Sequence, residues 1–261
     1  MAMKFDCKID LVRYNSRSGI EAFSEPITES DEILEDVLLK EAGSFNHETF
    51  GGGRYTTSSQ PNKEAAVNPS FREAWAAAGK SKELPNLVKE YETLKKSEIK
   101  LIMAYTYERE PRGPGKPSFY KELNEDFRNN DLTGGRFPYA KRVLRNALIE
   151  LAKFQKKKGK NLPDVLYRWE PSCHVKNYQE QGDGWMHLNM FTSTSSRKDL
   201  AHNAHNNVQV EFRKPETETG ASIRDFSFYR YEEEVLLPPL HGKIKVIEAS
   251  TTGSILQGPI L

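Results

Sequence analysis

Cysteine is nearly absent. Only Cys7 and Cys173 occur, one in each half of the chain, and neither stands in a Cys-x-x-Cys or His-rich spacing, so a disulfide scaffold is excluded and a structural zinc site has no support. Long apolar runs are missing too. No stretch approaches the ~20 residues that a membrane-spanning helix needs, and Met1-Ala-Met-Lys-Phe-Asp6 is not followed by the apolar run of a signal peptide. The expectation is a chain without a membrane segment, suited to a reducing compartment. An excess of one charge is also lacking. The 38 Lys and Arg nearly balance 37 Asp and Glu, so no global field draws in nucleic acid or an anionic membrane. What is present is polarity: 37% hydrophobic against 29% charged residues, with a mean hydropathy of -0.71, which calls for a compact core under a very polar surface. At 261 residues, one large domain or a domain with an appendage can bury such a core.

Residues 1–27 show one short strand-like stretch, Lys8–Val12, and no functional signal. A helix opens after Ser30, a suitable cap, with Ile33, Leu34, Val37 and Leu38 on one face and Gly43 as its stop. About residues 46–70 the Gly51-Gly-Gly53 and Thr56-Thr-Ser-Ser59 composition reads as a long loop or linker. Helical patterning resumes over Phe71–Ala78, Leu84–Leu94 and Glu98–Thr106, and is broken by Pro111, Pro114 and Pro117. It restarts over Phe119–Arg128, with Phe119, Leu123 and Phe127 at i, i+4, i+8, and continues from about Tyr139 to Lys156. The closing Lys156-Lys-Lys-Gly-Lys160 fits the solvated end of a helix, where cations suit the dipole, better than a phosphate patch.

Beyond Pro163 the texture changes to short strand-like segments at Val165–Trp169, His187–Thr192, Asn207–Arg213, Glu234–Leu237 and Lys243–Glu248. Helices first and strands later predict an α+β chain: a helical part followed by a mostly antiparallel two-sheet β-sandwich. The expected organisation is an N-terminal region over 1–85 of unassigned role and a second domain over 86–261, with helices at about 86–160 and the β core at about 163–261.

Four features on the β side bear chemistry. Glu232-Glu-Glu234 alone would be a charged strand start on a solvated face, but the following Val235-Leu-Leu237 must be buried, which pins the acids to the rim of a core. If the strand extends through them, Glu232 and Glu234 share one face, and paired carboxylates with restricted hydration suit acid/base or cation-stabilising work. Arg168, in the apolar run Val165-Leu-Tyr167, needs an anionic partner, either a structural carboxylate or a diphosphate matched to its planar fork. Ser193-Thr-Ser195 offers hydroxyls at a strand end. In the loop Gly220–Tyr231, Phe226, Phe228 and Tyr229 beside Arg224 and Arg230 suit either core anchors or a recognition surface. His174, His187, His202 and His205 share no helix face or acidic cluster, so no metal is expected.

The ordered set Tyr167-Arg168, Phe191-x-Ser193-Thr-Ser195 and Glu232-x-Glu234-Val-Leu-Leu-Pro-Pro239 resembles the Arg-Ser-Glu clan of mono-ADP-ribosyltransferases, which includes bacterial toxins and effectors. The likeness runs from about Glu98 to the carboxyl terminus and takes in Ala104-Tyr-Thr106 and Phe119–Asn124. It implies an ADP-ribosyltransferase fold with an NAD-binding cleft, and transfer of ADP-ribose from NAD+, as co-substrate, to a protein side chain. By this resemblance Arg168 holds the phosphates, Tyr167 and Trp169 flank the dinucleotide, Ser193 orients Glu234, and Thr194 and Ser195 support the strand end. Trp169 stands where many members carry Gly, so its indole is placed to stack on a ring. Glu234 would stabilise the opening ribose ring, Glu232 would serve the acceptor, and Arg224, Phe226, Phe228, Tyr229 and Arg230 would meet the substrate protein. Glu at position 232 resembles the arginine-directed branch with its Glu-x-Glu pair. The implied setting is a bacterial effector or toxin secreted or translocated into a host cytoplasm, acting on a host protein for which actin and small GTPases are candidates. An NAD+ glycohydrolase, or an inactive binding module of the same fold, are the competing readings.

Overall fold

The structure, a computed structural model, describes residues 27–43, 68–108, 117–129, 135–170, 185–186, 190–198, 208–213, 220–239 and 244–251. The Lys8–Val12 strand, most of the 46–70 loop, both cysteines, the four histidines named above and Pro111 and Pro114 lie outside them.

Six helices and seven strands appear among the described residues: α1 Asp31–Glu41, α2 Pro69–Gly79, α3 Leu84–Glu90, α4 Lys96–Thr106, α5 Phe119–Asn129, α6 Pro138–Lys157, then β1 Val165–Glu170, β2 Trp185–Met186, β3 Thr192–Ser195, β4 Val208–Arg213, β5 Ala221–Ser222, β6 Glu234–Leu237 and β7 Ile244–Thr251. The α+β class holds. Ser30 caps α1 by accepting from the Ile33 amide at 3.4 Å, and Gly43, at φ 77°, lets the chain turn off it. The buried stripe of α1 is Leu34, Leu38 and Ala42; Ile33, placed by periodicity on that face, is 52% exposed. The α2 stripe Phe71, Ala74, Trp75 and Ala78 packs inward, and Phe71 stacks on Phe119 of α5 at 4.3 Å. α4 is buried nearly all round and is the central helix: Ile99, Leu101, Ile102 and Ala104 are fully buried, and Ser97, Glu98 and Thr106 are buried with them. Its start is fixed by Glu98, which accepts from the Lys95 amide at 2.7 Å.

Two carboxylates tie the helices together. Glu41, at the end of α1, accepts from the amides of Tyr139 (2.9 Å) and Ala140 (2.8 Å) and so caps α6. Asp126 of α5 accepts from the Arg136 and Phe137 amides and pairs with Lys141 of α6 at 3.0 Å, both side chains almost wholly buried. Gly135 (φ 78°) is required beside it, because a Cβ there would fall 2.3 Å from an Asp126 oxygen.

The described strands pair antiparallel throughout in the order β2-β7-β4-β1-β3-β6-β5. The two-layer arrangement expected from sequence is not evident in this pairing, which is continuous. Its one weak seam is informative: β1 is registered to β4 along six residue pairs but to β3 through Tyr167↔Ser195 alone. The sheet opens there, between Arg168 on one side and Ser193 and Glu234 on the other. One apolar cluster includes Leu34, Leu38, Phe71 and Trp75 together with Ile99, Leu148, Ala221, Phe226 and Leu236. Residues on both sides of position 85 contribute to this cluster.

Candidate active site

At the seam lies a cleft of about 440 Å³, within the range of small-molecule sites. Arg168, Ser193, Glu232 and Glu234 all line it, with Tyr167, Trp169, Thr194 and Ser195, so three of the four β-side features converge on one cavity.

Glu234 opens β6 and sits opposite Ser195; Ser193 faces Leu236, two residues on, so Ser193 and Glu234 are diagonal neighbours on one face. Glu234 is 9% exposed. Burial pushes its carboxyl up to about 7, and the charge of Glu232 adds to this; a hydrogen bond with Ser193 and the Arg168 guanidinium pull the other way. Arg168 donates to the Ser193 carbonyl at 2.6 Å, which places its cation beside both groups. Glu234 is thus a buried acid held by a hydroxyl and beside a guanidinium, with its carboxyl raised by burial.

Glu232 reaches the cleft differently from the sequence-based expectation. It does not extend the strand: Arg230–Glu232 form a 3-10 turn and Glu233 is left-handed at φ 47°, so β6 begins only at Glu234. The two acids meet through a backbone kink, not through the two-residue pleat. The kink is held by Ser195, whose hydroxyl donates to the Glu232 carbonyl at 2.7 Å, and by Ser196, which donates to Glu233 Oε2 at 2.9 Å. Thr194 donates to the Val235 carbonyl at 2.8 Å. The three hydroxyls thus divide: Ser193 serves Glu234, while Thr194 and Ser195 fix the strand and the turn. Burial, then the nearby charge of Glu108, raises the Glu232 carboxyl.

The helical wall supplies residues that sequence reasoning left unassigned. Tyr105 and Thr106 of α4, Glu108, Tyr120 and Asn124 of α5 and Phe191 line the cleft. Asn124 donates to the Tyr105 hydroxyl (3.2 Å) and to the Phe191 carbonyl (3.1 Å), while its Oδ1 is buried with no protein partner. The Tyr120 hydroxyl donates to Glu108 at 3.0 Å. The available signal was the resemblance over Ala104-Tyr-Thr106 and Phe119–Asn124.

The loop residues do not act as one surface. Phe226 is a core residue, 1% exposed and 4.7 Å from the Tyr91 ring, which corrects its placement among the surface contacts. Phe228 is 41% exposed at the rim. Tyr229 and Tyr231 line the cleft, and the Tyr229 hydroxyl donates to the Glu108 carbonyl at 3.3 Å. Arg224 pairs with Glu233 at 3.6 Å and Arg230 with Glu83 at 3.2 Å. Among the described residues no group of three His, Cys, Asp or Glu is arranged to hold a metal ion, and no described helix is long and apolar enough to cross a membrane.

A helical platform and an antiparallel sheet that opens at an Arg-Ser seam, with an acid pair at the cleft, match the ADP-ribosyltransferase fold. The family described as NAD:arginine ADP-ribosyltransferase matches residues 54–256, and the chain belongs to that family. Among solved structures it is similar to the ADP-ribosyltransferase HopU1 of Pseudomonas syringae pv. Tomato DC3000, with 18% identity, a TM-score of 0.53, and coverage of 86% of this chain and 93% of that one. It is also similar to mutants of the eukaryotic mono-ADP-ribosyltransferase ART2.2 in complex with NADH (16% identity, 94% and 93% covered, TM-score 0.46) and with NAD (16%, 87% and 90%, 0.47). No curated protein matches.

Proposed function

We propose that the protein transfers ADP-ribose from NAD+ to an arginine side chain of a protein, with Glu234 governing cleavage of the dinucleotide and Glu232 governing transfer. The observation that carries this is the pairing of a buried, Ser193-bonded Glu234 with a second cleft carboxylate, Glu232, across from Arg168. NAD+ supplies the ribose–nicotinamide bond that breaks, with nicotinamide leaving as a neutral molecule. NAD+ suits the lining of the cleft, which offers a guanidinium for a diphosphate and the rings of Tyr105, Trp169 and Phe191. Arg168 holds the phosphates. Ionised Glu234 accepts hydrogen bonds from the ribose hydroxyls and faces the positive charge that grows at the anomeric carbon. Glu232 takes a proton from the acceptor guanidinium as its nitrogen bonds to that carbon. Its raised carboxyl and its place beside Tyr229 and Tyr231, at the mouth, support a role toward the acceptor. The resemblance to bacterial effectors and toxins extends the reading to a host protein as target.

The test is incubation with labelled NAD+ and agmatine, followed by mass spectrometry of modified proteins in a cell lysate. Wild type should label agmatine and a protein arginine; Glu232→Ala should lose the label yet keep nicotinamide release; Glu234→Ala should lose both. Release without any labelling would reassign the protein as an NAD+ glycohydrolase.

A further inference from the structure

We infer that Tyr91, outside the cleft, is a positioning residue for the acceptor side of the site, acting through Asp225 on the loop that carries Tyr229, Tyr231 and Glu232. This rests on the transferase reading above. Tyr91 follows α3 and is 1% exposed, its ring packed against Phe226 at 4.7 Å and Phe154 at 5.4 Å. Its hydroxyl donates to Asp225 Oδ2 at 2.5 Å, across 134 positions of chain. Burial first, then the carboxylate of Asp225, push the phenol well above its ordinary range, so it stays a donor at any working pH.

The hydrogen bond is the central one of a row that fastens the loop to the helices. Upstream, Gln155 of α6 brackets Ser222, donating to its carbonyl at 2.7 Å and accepting from its amide at 3.0 Å. Downstream, the Phe228 amide donates to Thr106 Oγ1 at 3.3 Å and Arg230 pairs with Glu83 at 3.2 Å. Between these lies a turn at residues 224–226 in which the Phe226 and Ser227 amides both bond the Ile223 carbonyl. Phe226 anchors that turn by its ring and Asp225 by its charge. The pair at Glu83 is exposed on both sides and weak, whereas Tyr91–Asp225 joins a buried phenol to a carboxylate and is the stronger restraint.

Glu234 does not depend on this row in the same way. β6 is registered to β3 at four pairs, Glu234 opposite Ser195, the Ile223 amide donates to the Glu234 carbonyl at 2.9 Å on the other side, and Ser193 holds the side chain, so Glu234 is fixed within the sheet. Glu232 is two residues outside that ladder; the Ser195 hydroxyl ties its carbonyl to β3 at 2.7 Å, and toward the helices its position follows the loop. Loosening Asp225 therefore displaces the acceptor-side acid and its aromatic neighbours while leaving the dinucleotide side in place.

The experiment uses the full chain with Tyr91→Phe, Asp225→Ala, Asp225→Asn and the double variant Tyr91→Phe/Asp225→Ala. Nicotinamide release without acceptor and ADP-ribosyl-agmatine formation are measured separately. Tyr91→Phe keeps the ring in the core and removes only the hydroxyl. Its agmatine KM should rise roughly tenfold, with the KM for NAD+ and the rate of nicotinamide release within about twofold of wild type, the scatter expected of a site left intact. Asp225→Asn still offers an oxygen to the phenol and should lie nearest wild type. The double variant should be no worse than Asp225→Ala alone, since both remove one interaction. If wild type transfers to agmatine but Tyr91→Phe leaves the agmatine KM unchanged, or lowers transfer and release together, the positioning role is wrong. If wild type releases nicotinamide and labels no agmatine, the transferase reading falls, and this one with it.

Discussion

Glu234 faces two opposed demands. Folding favours its neutral form, because burial raises the carboxyl from 4.5 to about 7, while the proposed chemistry needs the anion. The linkage has a definite sign: the folded state binds a proton that the unfolded chain releases between those values, so stability falls as pH rises through that window and the full cost of ionised Glu234 is present above it. Nicotinamide release should therefore climb with a midpoint near pH 7 and then level off. Glu234→Gln keeps the shape and the bond to Ser193 but never ionises. It should slow release by about 100- to 1,000-fold and melt higher than wild type at pH 8, with the difference vanishing near pH 4. A pH–rate midpoint close to the ordinary carboxylate value would show that Glu234 is not the group whose charge matters.

Between residue and fold, the junction of the 3-10 turn with β6 decides where the two acids stand. Glu233 is the only non-glycine residue at positive φ among the described residues, so the backbone there carries the left-handed penalty of L-residues. Its side-chain contacts with Ser196 and Arg224 are partly exposed and worth little. Glu233→Gly should accordingly leave stability nearly unchanged, whereas Glu233→Val, β-branched, should cost about 1–2 kcal/mol and lower transfer more than release. Urea unfolding of the two variants checks this; equal midpoints would mean that the kink is not strained. This junction also marks the limit of what sequence showed. Glu234–Leu237 was legible as a strand because Val-Leu-Leu-Pro has one reading, and α2, α5 and α6 because their apolar residues recur at helical spacing. No Gly or Asn announced the left-handed residue inside three glutamates. β2 and β5 have two residues each, too few for an alternation to register. Arg168, Ser193 and Glu234, singled out through the family resemblance, line the cleft together with Tyr105 and Asn124, which reach it because α4 and α5 meet at Phe191, just before β3, a tertiary contact that local patterning does not reveal.

Across the whole molecule, core and cleft are not separable. α4 contributes Ile99 and Ile102 to the buried cluster and, at its last turn, Tyr105 and Thr106 to the cleft, so whatever holds α4 also holds one wall of the site. Much of what holds it comes from residues before position 85. Phe71 and Trp75 of α2 and Leu34 and Leu38 of α1 are all at most 3% exposed, and Glu41 caps α6 from the end of α1. Truncating one buried Phe or Trp costs about 3–5 kcal/mol, against a total stability of about 5–15 kcal/mol for a typical domain. Removing two such aromatics, two leucines and a helix cap together exceeds that margin. A chain beginning at residue 86 should therefore fail to give a cooperative thermal transition by circular dichroism, and Phe71→Ala in the full chain should fold with a melting temperature lowered by many degrees. A truncated chain that melts cooperatively and releases nicotinamide would show that the helices before residue 85 are an appendage. The shared core argues that they are the platform on which the cleft is built.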